Sequence, residues 1–122
     1  MGGTDATVTD AQLLLGYLDP DYYLGKRMKL NIMAAERAIA QIGEGLGLSI
    51  RDTSRGIVHL ASMNMTYAIR NITIERGHDP REFTLVCYGG GGGLFAGALL
   101  NELETRQAII PVFPSAFSAW GC

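Results

Sequence analysis

The N-terminal part of the chain carries apolar residues at helical spacing. The tetrapeptide Thr-Asp-Ala-Gln at residues 9–12 has the spacing of a capping box and precedes three leucines, so a short helix is predicted to begin at Thr9 and to end near Gly16. Helix-forming residues from about Asn31 predict a second helix, which is weakened by the glycines that begin at Gly43.

The longest helix is predicted from Ser49 to about Glu75, and Gly77 suits the position that ends a helix. Its apolar residues recur every three or four positions and predict the buried face: Ile57, Leu60, Ala61, Met65, Ala68 and Ile72. Its polar residues predict an opposite face in solvent: Arg55, His59, Ser62, Thr66 and Arg70. Residues 1–77 are therefore expected to be mainly helical.

The C-terminal part has the pattern of a strand, a helix and a second strand. Residues 83–88 and 108–112 are rich in β-formers and almost wholly apolar, which predicts two buried strands, while residues 94–103 predict a helix. Such a βαβ unit makes a parallel pair of strands, although two strands alone make a poor sheet. We expect one helix-rich α/β domain, in which residues 78–122 form the strand, glycine loop, helix and strand unit.

Composition limits the kinds of partner. Hydrophobic residues make up 48% of the 122 residues and charged residues 18%, so some apolar surface is expected to meet a partner, with a homo-oligomer as one outcome. The net charge of -2 gives no basic footprint for nucleic acid or an anionic membrane. The two uncharged stretches, residues 83–101 and 107–122, are interrupted by glycines or prolines and do not predict a membrane span.

The two cysteines, Cys87 and Cys122, have neither metal-ligand spacing nor the pattern of a disulfide framework. No metal site is predicted, and a cytoplasmic location fits best.

Five consecutive glycines, residues 89–93, lie between the first predicted strand and the helix that follows it. Ligands of open α/β sheets bind at the carboxyl ends of strands, and a backbone without Cβ atoms lets a phosphate, ribose or adenine approach the N–H groups of a helix start. No Gly-Lys-Ser/Thr follows as in a P-loop, and the third glycine of a dinucleotide fingerprint would fall at Leu94. The alternative is that the run is only a connector. Gly97 is expected to allow close packing of the helix on a strand.

Other polar residues offer weaker candidates. His78 and Asp79 lie in a turn just before the strand that leads to the glycines, where their alternative role is local turn structure around Pro80. His59 is expected to be a surface residue.

Four segments together resemble the hydantoinase A, oxoprolinase and acetone carboxylase family, over essentially the whole chain. They are Gly-Gly-Thr-Asp-Ala-Thr-Val-Thr-Asp-Ala at residues 2–11, Glu-Arg-Gly-His-Asp-Pro-Arg at 75–81, Tyr-Gly-Gly-Gly-Gly-Gly-Leu-Phe-Ala at 88–96, and Pro-Ser-Ala-Phe-Ser-Ala-Trp-Gly at 114–121. The sequence departs from the family's glycine motif where Gly91, Gly93 and Phe95 replace alanine, proline and histidine.

The resemblance implies a partial actin-like ATPase fold, of the hexokinase, Hsp70 and ribonuclease H-like type. Members are large proteins that use ATP with Mg²⁺ to activate a lactam, hydantoin or ketone. The resemblance makes Gly89, Gly90, Gly91 and Gly92 the adenosine side of the nucleotide site, residues 114–121 a connecting helix, and Asp10, His78 and Asp79 weak catalytic candidates. Asp10 would face a metal or a phosphate, or would only favour a helix start by its charge.

In this family the segments that grip the β- and γ-phosphates lie upstream and are absent here, so the chain is expected to be a piece of a core domain, inactive alone. Its partners would then be a nucleotide and the missing remainder or a second subunit. One alternative is a non-catalytic binding or oligomerisation module of the same fold. Another is a piece of an ATP-dependent ketone carboxylase subunit, and the substrate stays open.

Overall fold

The computed structural model describes residues 3–120, except the side chain of Trp120. Within these residues the chain forms five helices, Val8–Leu14 (α1), Ile32–Leu46 (α2), Ile50–Glu75 (α3), Gly92–Leu103 (α4) and Phe117–Trp120 (α5), and two strands, Leu85–Val86 (β1) and Ala108–Ile109 (β2). Single turns of 3₁₀ helix occupy Pro80–Glu82 and Pro114–Ala116. The helix-rich α/β class predicted from the sequence is confirmed.

The chain divides into two compact units, Met1–Ala61 and Ser62–Cys122, and α3 begins in the first and ends in the second. We predicted one domain with a mainly helical part up to residue 77 and a βαβ part after it. That division stays a prediction. No helix in the described part of the chain is both long enough and apolar enough to cross a membrane.

Helix α1 begins two residues earlier than predicted, because its N-cap is Thr7 rather than Thr9. The Thr7 hydroxyl accepts a hydrogen bond from the Asp10 N–H (3.2 Å), and the Asp10 carboxylate accepts one from the Thr7 N–H (2.8 Å). This reciprocal capping box satisfies donors that the first turn of a helix leaves unpaired. The sequence therefore predicted a capping box correctly but placed it two residues too late.

In the first unit, α1 packs on α2, with a small core of Ala11, Leu13, Ala35 and Ile39. Asn31 caps α2 by accepting from the Ala34 N–H, and the helix continues through Gly43 to Leu46. A Cβ at Gly43 would lie 2.7 Å from the Thr53 hydroxyl oxygen, so this glycine permits a close approach of α2 to the start of α3.

The buried face of α3 differs from the one predicted. Ser62 and Thr66 are each 1% exposed, whereas Leu60 is 64% exposed and Ile72 56%. Small hydroxyl side chains suit a tightly packed helix face, and their O–H groups can bond to the carbonyl one turn back, as Ser54 does to Ile50 (2.8 Å). The Thr66 hydroxyl has no such partner among the described residues, so its small size accounts for its place there. The predicted solvent face was wrong for Ser62 and Thr66, while Arg55 and His59 are exposed as predicted.

In the second unit β1 and β2 pair in parallel, Leu85 with Ala108 and Val86 with Ile109, and α4 connects them. The predicted βαβ unit is confirmed. Its core is Cys87 with one face of α4, namely Phe95, Ala96, Leu99 and Leu103. Cys87 is a free thiol whose pKa is raised by burial; Cys122 lies outside the described residues.

Both strands are shorter than predicted, and the expectation that residues 83–88 would be buried is wrong for most of them. Phe83, Val86 and Tyr88 are each more than two-fifths exposed. A parallel sheet is normally covered on both faces and extended by further strands, and a two-stranded pair provides neither condition.

The ends of α3 and α4 are held by specific bonds. Gly77 adopts a φ of +76°, and the His78 N–H donates to the Thr73 carbonyl, which ends α3 as predicted. The Arg70 guanidinium donates to the Glu102 carbonyl in the last turn of α4, where a cation also meets the negative end of the helix dipole. Gly97 is exposed, and a Cβ there would meet nothing within 4 Å, so the packing role predicted for it is wrong.

Candidate functional site

The glycine loop, residues 89–93, leaves the carboxyl end of β1 and enters α4. Gly89 has a φ of +86°, a conformation that side chains disfavour, and its N–H donates to the Pro114 carbonyl at 2.7 Å. Next to this bond the Tyr88 and Phe117 rings lie 5.3 Å apart, centroid to centroid. The start of the loop is therefore tied to the segment that follows β2.

The rest of the loop presents backbone donors. Helix α4 begins at Gly92, two residues before the predicted start, and its N-cap Gly91 has no side chain to cap the first turn. Within residues 3–120, the N–H groups of Gly90, Gly91, Gly92 and Gly93 have no acceptor. Four such donors at the positive end of a helix dipole favour the binding of an anion or of a ligand with several acceptor oxygens.

The four glycines differ in what surrounds them. A Cβ at Gly92 would lie 3.5 Å from the Cys87 carbonyl carbon, and one at Gly93 would lie 3.6 Å from the Ile110 side chain. A Cβ at Gly90 or Gly91 would meet nothing within 4 Å. These are ordinary contact distances, so packing within the chain requires glycine at none of the four positions, and the outer pair faces open space. That is the arrangement expected when an external group approaches the backbone.

Asp10 lies in the first unit and has a clear local role. It is the third helical residue of α1 and the partner of Thr7 in the capping box, and its Oδ2 also accepts from the Thr7 hydroxyl at 2.6 Å. It lines a shallow cavity of about 270 Å³ together with Asp5 and Arg37. The capping role accounts for the carboxylate without a ligand.

His78 and Asp79 lie before β1, whereas the glycines follow it, so the structure places them at opposite ends of the strand. The His78 ring is exposed and meets the edge of Phe83, with centroids 5.6 Å apart. Asp79 caps the turn Pro80–Glu82 and accepts from the Arg81 guanidinium at 3.0 and 2.6 Å. The side-chain bond from Arg81, followed by its backbone N–H, lowers the pKa of Asp79 to about 2.

A cavity of about 670 Å³ lies at this same end of the strands. Thr84 and Gln107, which immediately precede β1 and β2, line it with the Asp79–Arg81 pair and with Glu104 and Arg106. Ligands of parallel α/β sheets bind at the carboxyl ends of the strands, so the glycine loop is the stronger candidate. No group of three or more His, Cys, Asp or Glu side chains in residues 3–120 is placed to hold a metal ion.

Sequence reasoning found the glycine loop but missed its tie to Pro114. Nothing in the local pattern indicates which carbonyl the Gly89 N–H meets, because the bond joins residues on either side of α4 and β2. The parallel pairing of β1 with β2 was predictable, and it brings the two following segments to the same end of the sheet.

Comparison with known proteins now places the chain. The sequence model of the Hydantoinase/oxoprolinase family matches residues 1–122. The chain belongs to this family. The resemblance carried by the four sequence segments is confirmed.

Among its relatives, caprolactamase subunit alpha of Pseudomonas jessenii is 41% identical over 98% of this chain, and acetone carboxylase beta subunit of Xanthobacter autotrophicus is 34% identical over 95%. The chain spans only 17% and 16% of these two relatives. 5-oxoprolinase 1 of Arabidopsis thaliana is 26% identical over 98% of the chain, which spans 11% of that relative.

Two solved structures of the family share this fold. The ATP-dependent caprolactamase of Pseudomonas jessenii superimposes with a TM-score of 0.89 over 98% of this chain and 18% of its own. A nucleotide-free structure of acetone carboxylase, described as acting by ATP-dependent carboxylation, gives 0.87 over 95% and 16%. Relatives of this hydantoinase/oxoprolinase chain therefore include ATP-dependent enzymes several times its length.

Proposed function

We propose that this chain supplies the adenosine side of an ATP site in a longer, ATP-dependent cyclic-amide hydrolase of the hydantoinase/oxoprolinase type, with an actin-like, ribonuclease H-like core. The observation that carries the proposal is the glycine loop, in which four N–H groups lack acceptors and two glycines face open space at the carboxyl end of β1. The relatives described as ATP-dependent support the choice of nucleotide.

In this proposal the chain's own residues bind and orient the nucleotide. The Gly89–Pro114 bond fixes the start of the loop, and the N–H groups of Gly90 to Gly93 donate to ribose or α-phosphate oxygens. The absence of Cβ atoms at Gly90 and Gly91 lets those oxygens reach hydrogen-bonding distance. Binding of this kind positions the nucleotide but moves no proton.

The family resemblance implies that Mg²⁺ accompanies the ATP, and the described residues do not fit that ion. They include no cluster of carboxylates, and the Asp10 and Asp79 carboxylates are already engaged by Thr7 and Arg81. We therefore assign the metal and the phosphate-cleaving groups to the rest of the longer protein, and derive no step through Asp10, His78 or Asp79. The chain alone is expected to be inactive.

We place a hydrolase first because caprolactamase subunit alpha is 41% identical to the chain, against 37% for acetophenone carboxylase gamma subunit and 34% for acetone carboxylase beta subunit, although the hydrolase 5-oxoprolinase 1 is only 26% identical. The carboxylase subunit is the second candidate, because both relatives cover nearly the whole chain. A non-catalytic binding or oligomerisation module is the third, favoured by apolar side chains such as Val112 that are exposed in this chain. A cytoplasmic location remains part of the proposal.

Calorimetry with a matched pair of variants tests the nucleotide site. Gly90→Ala places a methyl group in open space where only a ligand would meet it, so ATP binding should weaken by roughly tenfold or more while the thermal midpoint stays unchanged. Gly97→Ala is the control, because it also adds a methyl group in open space, but inside α4 and away from the loop.

The choice of ligand separates the two sides of the nucleotide. Adenosine and AMP should compete with ATP more strongly than inorganic tripolyphosphate does, because only they carry the ribose and adenine. The loop has no nucleotide role in this chain if the unsubstituted chain gives no heat with ATP or ADP. The same conclusion follows if the Gly90→Ala and Gly97→Ala variants bind ATP with equal affinity.

A further inference from the structure

A charged cleft lies at the amino ends of the two strands, away from the glycine loop. It is the cavity of about 670 Å³ whose lining includes the residues that immediately precede β1 and β2. The Gln107 amide donates to the Thr84 hydroxyl at 2.8 Å, so a specific bond joins the two segments that enter the strands. Small-molecule sites commonly measure roughly 300 to 1,000 Å³, so this amino-end cleft has room for a small ligand.

The amino-end cleft carries charges of both signs. Asp79 and Arg81 engage each other, with a guanidinium nitrogen 2.6 Å from a carboxylate oxygen. The other charged residues of its lining, Glu82, Glu104 and Arg106, form no ion pair within the described part of the chain. The cleft therefore offers two carboxylates and one guanidinium to a ligand.

The two guanidinium groups of the cleft differ in their surroundings. The pKa of Arg81 is raised, mainly by the side-chain bond to Asp79 and by the charge of that carboxylate, and the charges of Glu104 and Glu82 raise it further. Carboxylates of the chain itself therefore already surround Arg81. Arg106 has no such partner within residues 3–120, so it is the guanidinium that is available to an anion from outside.

Glu104 occupies a backbone position at which glycine is favoured. It follows the last residue of α4 with a φ of +54°, in the left-handed region that residues with a side chain disfavour. Its N–H donates to the Asn101 carbonyl, which a glycine would also do, and its carboxylate accepts no hydrogen bond in the described part of the chain. The fold alone thus does not account for a charged side chain here. Strained residues of this kind concentrate at ligand sites.

We propose that the amino-end cleft binds a small zwitterion of the amino-acid class, with the ligand's carboxylate at Arg106 and its ammonium group at Glu104 and Glu82. A guanidinium holds a carboxylate through two parallel N–H···O bonds, and the carboxylates accept from the ammonium. The match to a reaction product rests on the proposed function. Hydrolysis of a cyclic amide breaks its C–N bond and adds the elements of water, which leaves a carboxylate and an ammonium group on one molecule. The cleft is thus a product site separate from the glycine loop.

NMR titration of the 122-residue chain tests the ligand class. The probes are 6-aminohexanoate, hexanoate and hexylamine, which share a six-carbon chain and differ in their charged groups. Low salt is used because exposed charges are screened. 6-Aminohexanoate should shift the backbone amide signals of Thr84, Glu104 and Arg106, and it should bind about threefold or more tightly than either singly charged probe. Equal affinities for the three probes, or unmoved signals at these amides, would overturn the proposal.

Two substitutions at Glu104 separate its charge from its backbone strain. Glu104→Gln removes the charge and keeps the shape, whereas Glu104→Gly also relieves the left-handed conformation. Both should weaken 6-aminohexanoate binding about threefold or more, although Glu104→Gly should not lower the thermal midpoint. Arg76→Gln is the control, because Arg76 is exposed in the same unit and does not line the cleft. Unchanged binding in both Glu104 variants, or an equal loss in Arg76→Gln, would contradict the proposal.

Calorimetry with ATP on the same samples separates this proposal from the nucleotide site. Saturating 6-aminohexanoate should leave the affinity for ATP unchanged, because the glycine loop lies at the other end of the strands. Displacement of ATP would place the zwitterion at the glycine loop and overturn the cleft proposal. A chain that binds ATP but not 6-aminohexanoate rejects the cleft proposal alone. A chain that binds 6-aminohexanoate in the cleft but no ATP rejects the nucleotide proposal alone.

Discussion

The Asp79–Arg81 pair shows how one residue that was a catalytic candidate is used by the turn around it. The carboxylate accepts from the guanidinium and from the Arg81 backbone N–H at 2.9 Å. Its pKa of about 2 leaves it deprotonated at neutral pH, so it is unsuited to act as a general acid. Because the pKa in the folded chain is below the ordinary aspartate value of about 3.9, the pair favours folding above about pH 4, and this contribution is lost as the pH falls through 2.

Carbon-detected NMR titration of the Asp79 carboxyl should give a midpoint near 2 in the parent chain. In Arg81→Gln the midpoint should rise towards the ordinary aspartate value of about 3.9, because the principal donor is gone. Lys29→Gln is the control, since Lys29 pairs with Asp21 and not with Asp79. An Asp79 midpoint that is unmoved by the Arg81 change would show that another group sets its pKa.

The start of α1 tests where the capping box lies. Thr7→Ala removes the hydroxyl that accepts from the Asp10 N–H, and the free energy of unfolding should fall by about 1 kcal/mol. Thr9→Ala, the matched control, changes a residue inside the helix and should cost less than half of that. Urea unfolding followed by circular dichroism measures both; a larger loss for Thr9→Ala would restore the position predicted from sequence.

Helices and their ends were largely predictable from sequence, but faces were not. Gly77 ends α3 as its residue type indicates, because the left-handed conformation is a local property. The buried side of α3 is set by what packs against it, and small hydroxyl residues such as Ser62 were mistaken for a solvent face. Helical periodicity shows which residues share a face. The elements packed against the helix decide whether the buried face is the apolar one or the one with small side chains.

For the strands and the candidate site, too, local features were predictable from the sequence, whereas features that depend on distant segments were not. The parallel pair and the glycine loop between β1 and α4 were predicted, because strand, glycines and helix follow one another along the chain. The tie from Gly89 to Pro114 was not, since it depends on which distant segments are present. A strand predicted over residues 83–88 is paired at only two positions because only one neighbouring strand is available.

As a whole, the chain exposes more large apolar side chains than a small independent domain would be expected to leave uncovered. The most exposed lie just after β2, where Val112 is 87% and Phe113 76% exposed. They border an apolar cavity of about 590 Å³ whose lining also includes Pro111 and Phe117. A contiguous apolar patch indicates a surface that is covered in a larger assembly.

The free chain should therefore associate with itself through this patch. Light scattering after size exclusion is expected to give an average mass that rises with concentration, and the double variant Val112→Ser, Phe113→Ser should reduce that rise. Leu46→Ser is the control, because Leu46 is 65% exposed on α2 and does not line this cavity. Because such self-association would be hydrophobic, salt that screens charges should not weaken it. A monomeric parent chain at all concentrations, or an equal effect of the Leu46 change, would show that the patch after β2 does not drive association.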